Sequence, residues 1–227
     1  MIMSKNLTKD DLEEDLLLEY SSRILHFYQE NKSTVIGGGS GLVIVLGLLF
    51  GYFFYAGQQS STAEQLMVQA ETLYRAGSFE QALYGDDSTF TVGFVQIAGN
   101  YGSTDAGNLA HYYVASSHAE LGQYEEALSA IEKYKAPKGI LGVAPRALHA
   151  KLLSEAGLYD LSAKKYEEAA GLVDNESTTP VYLLSAAKAY LEAGDQAKAE
   201  ALLDRIIANY RNSQYASSAQ NIKGRIG

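Results

Sequence analysis

The stretch HAELGQYEEAL, residues 118–128, decides the fold, because it returns in outline at three other places. Its counterparts are LYRAGSFEQAL at 73–83, LSEAGLYDLSA at 153–163 and YLEAGDQAKAE at 190–200. Each has glycine at the same place (Gly77, Gly122, Gly157, Gly194), with spacings of 45, 35 and 37 residues. An aromatic follows two positions later in three of them (Phe79, Tyr124, Tyr159). A small residue follows five positions later in all (Ala82, Ala127, Ser162, Ala199). Glycine reaches the left-handed backbone that a tight turn between two helices requires. The aromatic then packs the start of the second helix, and the small residue lets the pair approach closely.

A period near 34 residues with this layout reads as the tetratricopeptide helix-turn-helix, and hence as an all-α solenoid. The expected units are 63–107, 108–142, 143–179 and 180–212, with a final helix at Tyr215–Ile226 capping the stack in 213–227. Pro145 and Pro180 stand at the starts of first helices, where a missing N–H costs nothing, and Thr179 is the expected cap before Pro180. Two departures carry information. Gln196 replaces the aromatic of the fourth phrase, which predicts looser packing there. The first spacing is the longest, with the extra material near GDDSTFTVG, 85–93. Gly85–Asp87 reads as a break, and Asp87 or Ser88 as the cap of a further helix through Asn100.

Upstream of the repeats lies TVIGGGSGLVIVLGLLFGYFFYA, residues 34–56, 23 residues without a charged side chain. As a helix it would reach roughly 35 Å, enough for a hydrocarbon core of about 30 Å. No charge occurs between Lys32 and Glu64, and Tyr52 and Tyr55 fall where aromatic rings rest at the headgroups. A cleaved signal would start with a short basic segment. Here the preceding 33 residues carry 4 Lys/Arg against 7 Asp/Glu, so a retained single-pass anchor is expected. Arg23 and Lys32 lie before the span and only Arg75 lies near it afterwards, which places the arm in the cytoplasm and residues 57–227 across the membrane. Inside the span, Gly37 and Gly41, and Gly47 and Gly51, are spaced to let another helix approach.

The arm itself, residues 10–31, places Leu12, Leu16, Tyr20, Ile24 and Phe27 on one helical face, with Thr8 or Asp10 as its cap. Its acidic character disfavours anionic lipid. Its apolar face either meets a protein or belongs to a frayed helix with no partner.

Composition excludes several classes. The net charge is −9, spread as −3 before the span and −6 after it, so no basic patch points to nucleic acid. The absence of cysteine excludes disulfides, thiolate metal sites and cysteine nucleophiles. His111 and His118 are seven apart on one helix face and could begin a metal site, but they fall at interior repeat positions and read better as packing residues. Neither they nor His26 and His149 belong to a metal-protease, P-loop, hydrolase or dinucleotide motif. Asp86–Asp87 lacks further ligands at a metal-loop spacing. No catalytic residues, cofactor or metal are therefore expected, and the chain reads as a binding protein rather than an enzyme. Counting from the turn glycines, the inner face should present Met67, Glu71, Tyr112, Ser116, Ala147, Lys151, Leu184 and Lys188. That set suits an extended, partly apolar segment, unless the final helix or a second subunit fills the groove.

The arrangement of acidic arm, single span and about four repeats resembles the YfgM-like family of inner-membrane proteins. GFVQIAGNYGSTDAGNLAHYYVASSHAELGQYEEAL (93–128) and DNESTTPVYLLSAAKAYLEAGD (174–195) are similar to the versions found in Bacteroidota-type envelopes. The resemblance implies an ancillary, chaperone-like subunit facing the periplasm, beside the Sec translocon and a PpiD-type folding factor. Its partners would be translocon subunits, that folding factor and emerging polypeptides. It supplies no catalytic residues. A scaffold for another envelope complex, a homo-oligomer or an organelle import receptor are the alternatives.

Overall fold

A computed structural model describes residues 9–226, with side chains from Glu19 onward. Thr8, and the side chains of Asp10, Leu12 and Leu16, lie outside the described residues. The described residues are all-α apart from one short hairpin. It divides into two units, 1–57 and 58–227.

In the first unit, α1 (Lys9–Glu30) ends one residue before α2 (Lys32–Arg75) begins. Tyr20, Ile24 and Phe27 are exposed on α1. The apolar run lies in α2, which is long and apolar enough to cross a membrane. No helix boundary falls between the run and the first repeat phrase. Glycine at 57 and the polar residues that follow do not stop a helix when no proline or competing cap is present.

The second unit is built from antiparallel helix pairs. They are α5 (Asp105–Glu120) with α6 (Tyr124–Lys133), α7 (Val143–Glu155) with α8 (Tyr159–Gly171), and α9 (Thr179–Glu192) with α10 (Gln196–Asn209). Within each pair the turn glycine has φ between 73° and 80°, and the same holds at Gly77, where α2 meets α3 (Phe79–Tyr84). The turns close in the same way. Gly122 N–H donates to the Ala119 carbonyl and Gln123 N–H to the His118 carbonyl, and Gly157 with Leu158 and Gly194 with Asp195 repeat the pattern. Ala82, Ala127, Ser162 and Ala199 are fully buried, as close approach requires. Ser162 adds a bond, its Oγ donating to the Ala150 carbonyl at 2.7 Å. The aromatics are less uniform: Phe79 meets the Tyr74 ring, while Tyr124 remains 38% exposed.

The insertion corrects one expectation. Residues 85–93 do not start a helix at Asp87 or Ser88. They form a hairpin, β1 (Gly85–Asp86) against β2 (Thr91–Val92), and α4 (Phe94–Tyr101) starts only after Gly93. Asp86 causes the difference. Its carboxylate accepts from Ser88 N–H at 2.9 Å and Ser88 Oγ at 2.7 Å, closing a turn instead of a helix. Phe90, at the tip, has φ 54° and is 89% exposed.

Thr179 is likewise not the cap of α9. Thr178 holds that place, and Thr179 is the first helical residue, with Pro180 next. Asn175 draws the preceding loop back over the helix start, accepting from Ser177 and Thr178 N–H. Thr179 Oγ1 turns inward, donating to the Val173 carbonyl and accepting from Asn175 N–H. Pro145 lies in the first turn of α7.

Two separate apolar cores result. One gathers Met67, Leu83, Phe94, Ile97, Ala115 and Ile131, and reaches Leu152 on α7. Phe94 stacks on Tyr113 with ring centres 4.8 Å apart, and Tyr74 meets both rings edge-on. The other gathers Ala163, Leu183, Tyr190, Leu203 and Ile206, and ends at Ala219 on α11 (Gln214–Ile226).

Candidate functional site

The residues expected on the inner face separate into two groups. Met67, Ser116 and Leu184 are corrected: all three are buried and present nothing to a ligand. Met67 and Leu184 belong to the two cores, and Ser116 Oγ is bonded to Tyr74 Oη at 2.7 Å. Counting from the turn glycine fixes which way a side chain points, but not how far the neighbouring helix closes over it. Glu71 is partly covered and pairs with Arg75 at 3.0 Å. Tyr112 and Ala147 are half-buried, and Lys151 and Lys188 are exposed.

Tyr112 is the centre of a tyrosine group. Its ring centre lies 5.7 Å from those of Tyr113 and Tyr134. Burial raises its hydroxyl pKa, and the nearby Tyr74, Tyr134 and Tyr182 add to the shift. Burial likewise raises Tyr166, beside Tyr182 and Glu155, and Tyr134. These hydroxyls stay protonated and can both donate and accept. Such rings offer broad contact area to a polypeptide at little entropic cost.

His118 is buried, His111 and His149 are half-buried, and His26 is exposed. His118 is 7% exposed and its Nδ1 lies 2.6 Å from Gln123 Oε1; an amide oxygen only accepts, so Nδ1 carries the proton. His111 is half-buried, and burial with the Lys133 charge lowers its pKa, leaving it neutral at pH 7. His149 is lowered mainly by burial. Both His111 and His118 line a cavity of about 510 Å³ between α4 and α6, with Val95, Val114, Glu125 and Lys133 around them. Among the described residues, no three His, Cys, Asp or Glu side chains come together as a metal site.

A second cavity, of about 280 Å³, lies between α9 and α11 and includes Lys188. Sequence reasoning placed Lys188 on the inner face but missed its surroundings. Leu191 and Glu192 come from its own helix, and Ile222, Arg225 and Ile226 from the final one. The signal was present as two sets at i, i+3 and i+4, which each put three side chains on one helical face. Gln196 also acquires a role. It does not merely loosen the fourth pair, because its Nε2 donates to the Ile226 carbonyl at 2.7 Å and ties down the last turn of α11. Lys223 pairs with Asp204 along the same contact.

In the apolar run of α2, Gly37, Gly41, Gly47 and Gly51 each have open space where a Cβ would project. No protein family matches the chain, and no curated protein or solved structure is similar to it.

Proposed function

We propose that this chain is a membrane-anchored, non-enzymatic adaptor whose stacked helix pairs bind other proteins at the bilayer surface. The observation that carries this reading is the combination of a helix with a charge-free run at 34–56 and a domain of antiparallel pairs presenting half-buried tyrosines and exposed lysines. The four glycine turns of near-constant geometry support the tetratricopeptide solenoid as its architecture. A tether raises the effective concentration of the domain for neighbours in the same membrane without any new contact.

The basic residues near the span favour a cytoplasmic arm and a periplasmic repeat domain, and the YfgM-like resemblance favours the Sec translocon and a PpiD-type folding factor as neighbours. A scaffold assembled through the span is the second reading, favoured by the four-residue spacing of Gly37 and Gly41 and of Gly47 and Gly51. Photocrosslinking in intact cells, from probes placed at Tyr112 and Lys151, tests both. Crosslinks to translocon subunits or to a membrane-bound folding factor are expected. Crosslinks to copies of this chain alone would favour the scaffold, and a set of unrelated soluble proteins would defeat the adaptor.

A further inference from the structure

We propose that the loop between α6 and α7 docks on an anionic lipid surface. Ile140 and Leu141 enter the bilayer interface, and Lys133, Lys135 and Lys138 meet its headgroups. The proposal deepens the membrane-anchored reading and rests on it.

The sequence here departs from the rest of an acidic chain. From Lys133 to Ser154 there are five basic residues and no acidic one, in a protein whose net charge is −9. Lys133, Lys135 and Lys138 are exposed, and none of the three pairs with a described carboxylate. Beside them stand Ile140, 58% exposed, and Leu141, 74% exposed. Their exposure does not come from a slack loop. Asn108 holds the Lys135 backbone, accepting from its N–H at 2.9 Å and donating to its carbonyl at 3.1 Å. Arg146 donates to the Pro137 and Gly142 carbonyls, each at 2.9 Å. Gly139, with φ 69°, then admits a single short helical turn, Ile140–Gly142. A Cβ on Gly142 would overlap the Pro137 carbonyl, so the turn closes tightly on its own base. Val143 and Pro145 take the buried positions, which leaves Ile140 and Leu141 in water. Burial of an apolar pair and attraction of lysines to anionic headgroups are each weak, and stable interfacial binding takes two such signals. A tethered domain needs little of either. The lipid surface is favoured over an acidic protein because α2, long and apolar enough to cross a membrane, supplies one to this chain.

The test uses the full chain, which has no cysteine, so Ile140→Cys carries a single environment-sensitive nitrobenzoxadiazole label. The labelled chain is reconstituted into phosphatidylcholine vesicles, with or without about 30% phosphatidylglycerol, that contain nitroxide-labelled lipid. Blue-shifted, nitroxide-quenched emission is expected in the anionic vesicles at low salt, and its loss at high salt. Lys135→Gln/Lys138→Gln should lower the docked-to-free ratio about thirtyfold, the scale of two lysines at an anionic surface. Leu141→Ser should lower it about tenfold. Both variants should unfold at the same temperature as the parent, since the replaced side chains are exposed. The same label at Phe90→Cys, on the hairpin of Asp86 and Asp87, should stay unquenched. An unquenched Ile140 label in chains that float with the anionic vesicles would overturn the proposal and leave the anchor standing. Quenching indifferent to the two lysines, or equal at Phe90, would do the same. A blue shift with the peptide Glu-Leu-Glu-Glu-Leu and none with anionic vesicles would overturn it in favour of an acidic protein. A chain that does not float with either vesicle defeats the anchor and the proposal together.

Discussion

Tyr190 shows how single side chains join neighbouring pairs. Its ring is buried in the second core, and its hydroxyl donates to Glu167 Oε1 on α8 at 2.7 Å. Lys198 Nζ lies 4.9 Å from the ring centre. Burial first, and then the Glu167 bond and charge, push the hydroxyl pKa well above the usual tyrosine value. The folded chain therefore keeps a proton that the unfolded chain releases near pH 10. The stabilisation is complete below that value and declines as pH rises beyond it, because the folded state then binds more protons than the unfolded one. Tyr190→Phe should cost about 1 kcal/mol at pH 8 and make stability fall less steeply above pH ~10. Urea midpoints at pH 8 and in the alkaline range measure both effects. An unchanged alkaline slope would mean that neither burial nor the Glu167 bond raises the Tyr190 hydroxyl in solution.

Two glycines separate two mechanisms at the scale of elements. Gly122, in the turn between α5 and α6, has φ 75° and open space around a notional Cβ. Gly122→Ala should therefore cost only the left-handed backbone penalty, about 1 kcal/mol. Gly107, in the first turn of α5, has ordinary backbone angles, yet a Cβ there would overlap the Tyr101 carbonyl at the end of α4. Gly107→Ala should cost about 2–4 kcal/mol, since backbone cannot yield as a flexible side chain does. Thermal unfolding of the two variants checks the order, and a milder Gly107→Ala would refute the close packing of α4 on α5.

These elements also show what was legible. The helix pairs could be read because turn glycines and small contact residues act locally, at fixed spacings. The hairpin could not, because Asp87 and Ser88 suit a helix cap and a turn about equally, and the Asp86 carboxylate decided between them. The same ambiguity moved the α9 cap from Thr179 to Thr178. Of the residues expected on the inner face, Lys151 and Lys188 are exposed. Depth was not legible at Met67, Ser116 and Leu184, because it depends on helices distant in sequence. The cavity beside Lys188 needed the packing of α11, which no local pattern specifies.

At the scale of the molecule, the first unit is an exposed apolar helix, and the second contains both cores. That helix is long and apolar enough to cross a membrane, which sets the expectation for fractionation. The full chain should remain in the membrane pellet after alkaline carbonate washing. Residues 58–227 expressed alone should be soluble, helical by circular dichroism and cooperative in unfolding. Release of the full chain by carbonate would refute the span, and an unfolded fragment would show that the second unit needs the first.

The division of that second unit into two cores has a consequence for the order in which the chain is made. The first core takes nothing from beyond Leu152, whereas the second waits for Ala219 near the end. Because synthesis is slow compared with helix pairing, the N-terminal half of that unit can consolidate while the last pair is still emerging. A chain delivered across a membrane from its N-terminal side would thus never present all of its apolar helices unfolded at once. The break between the cores shortens the time during which unpaired apolar helices stand exposed.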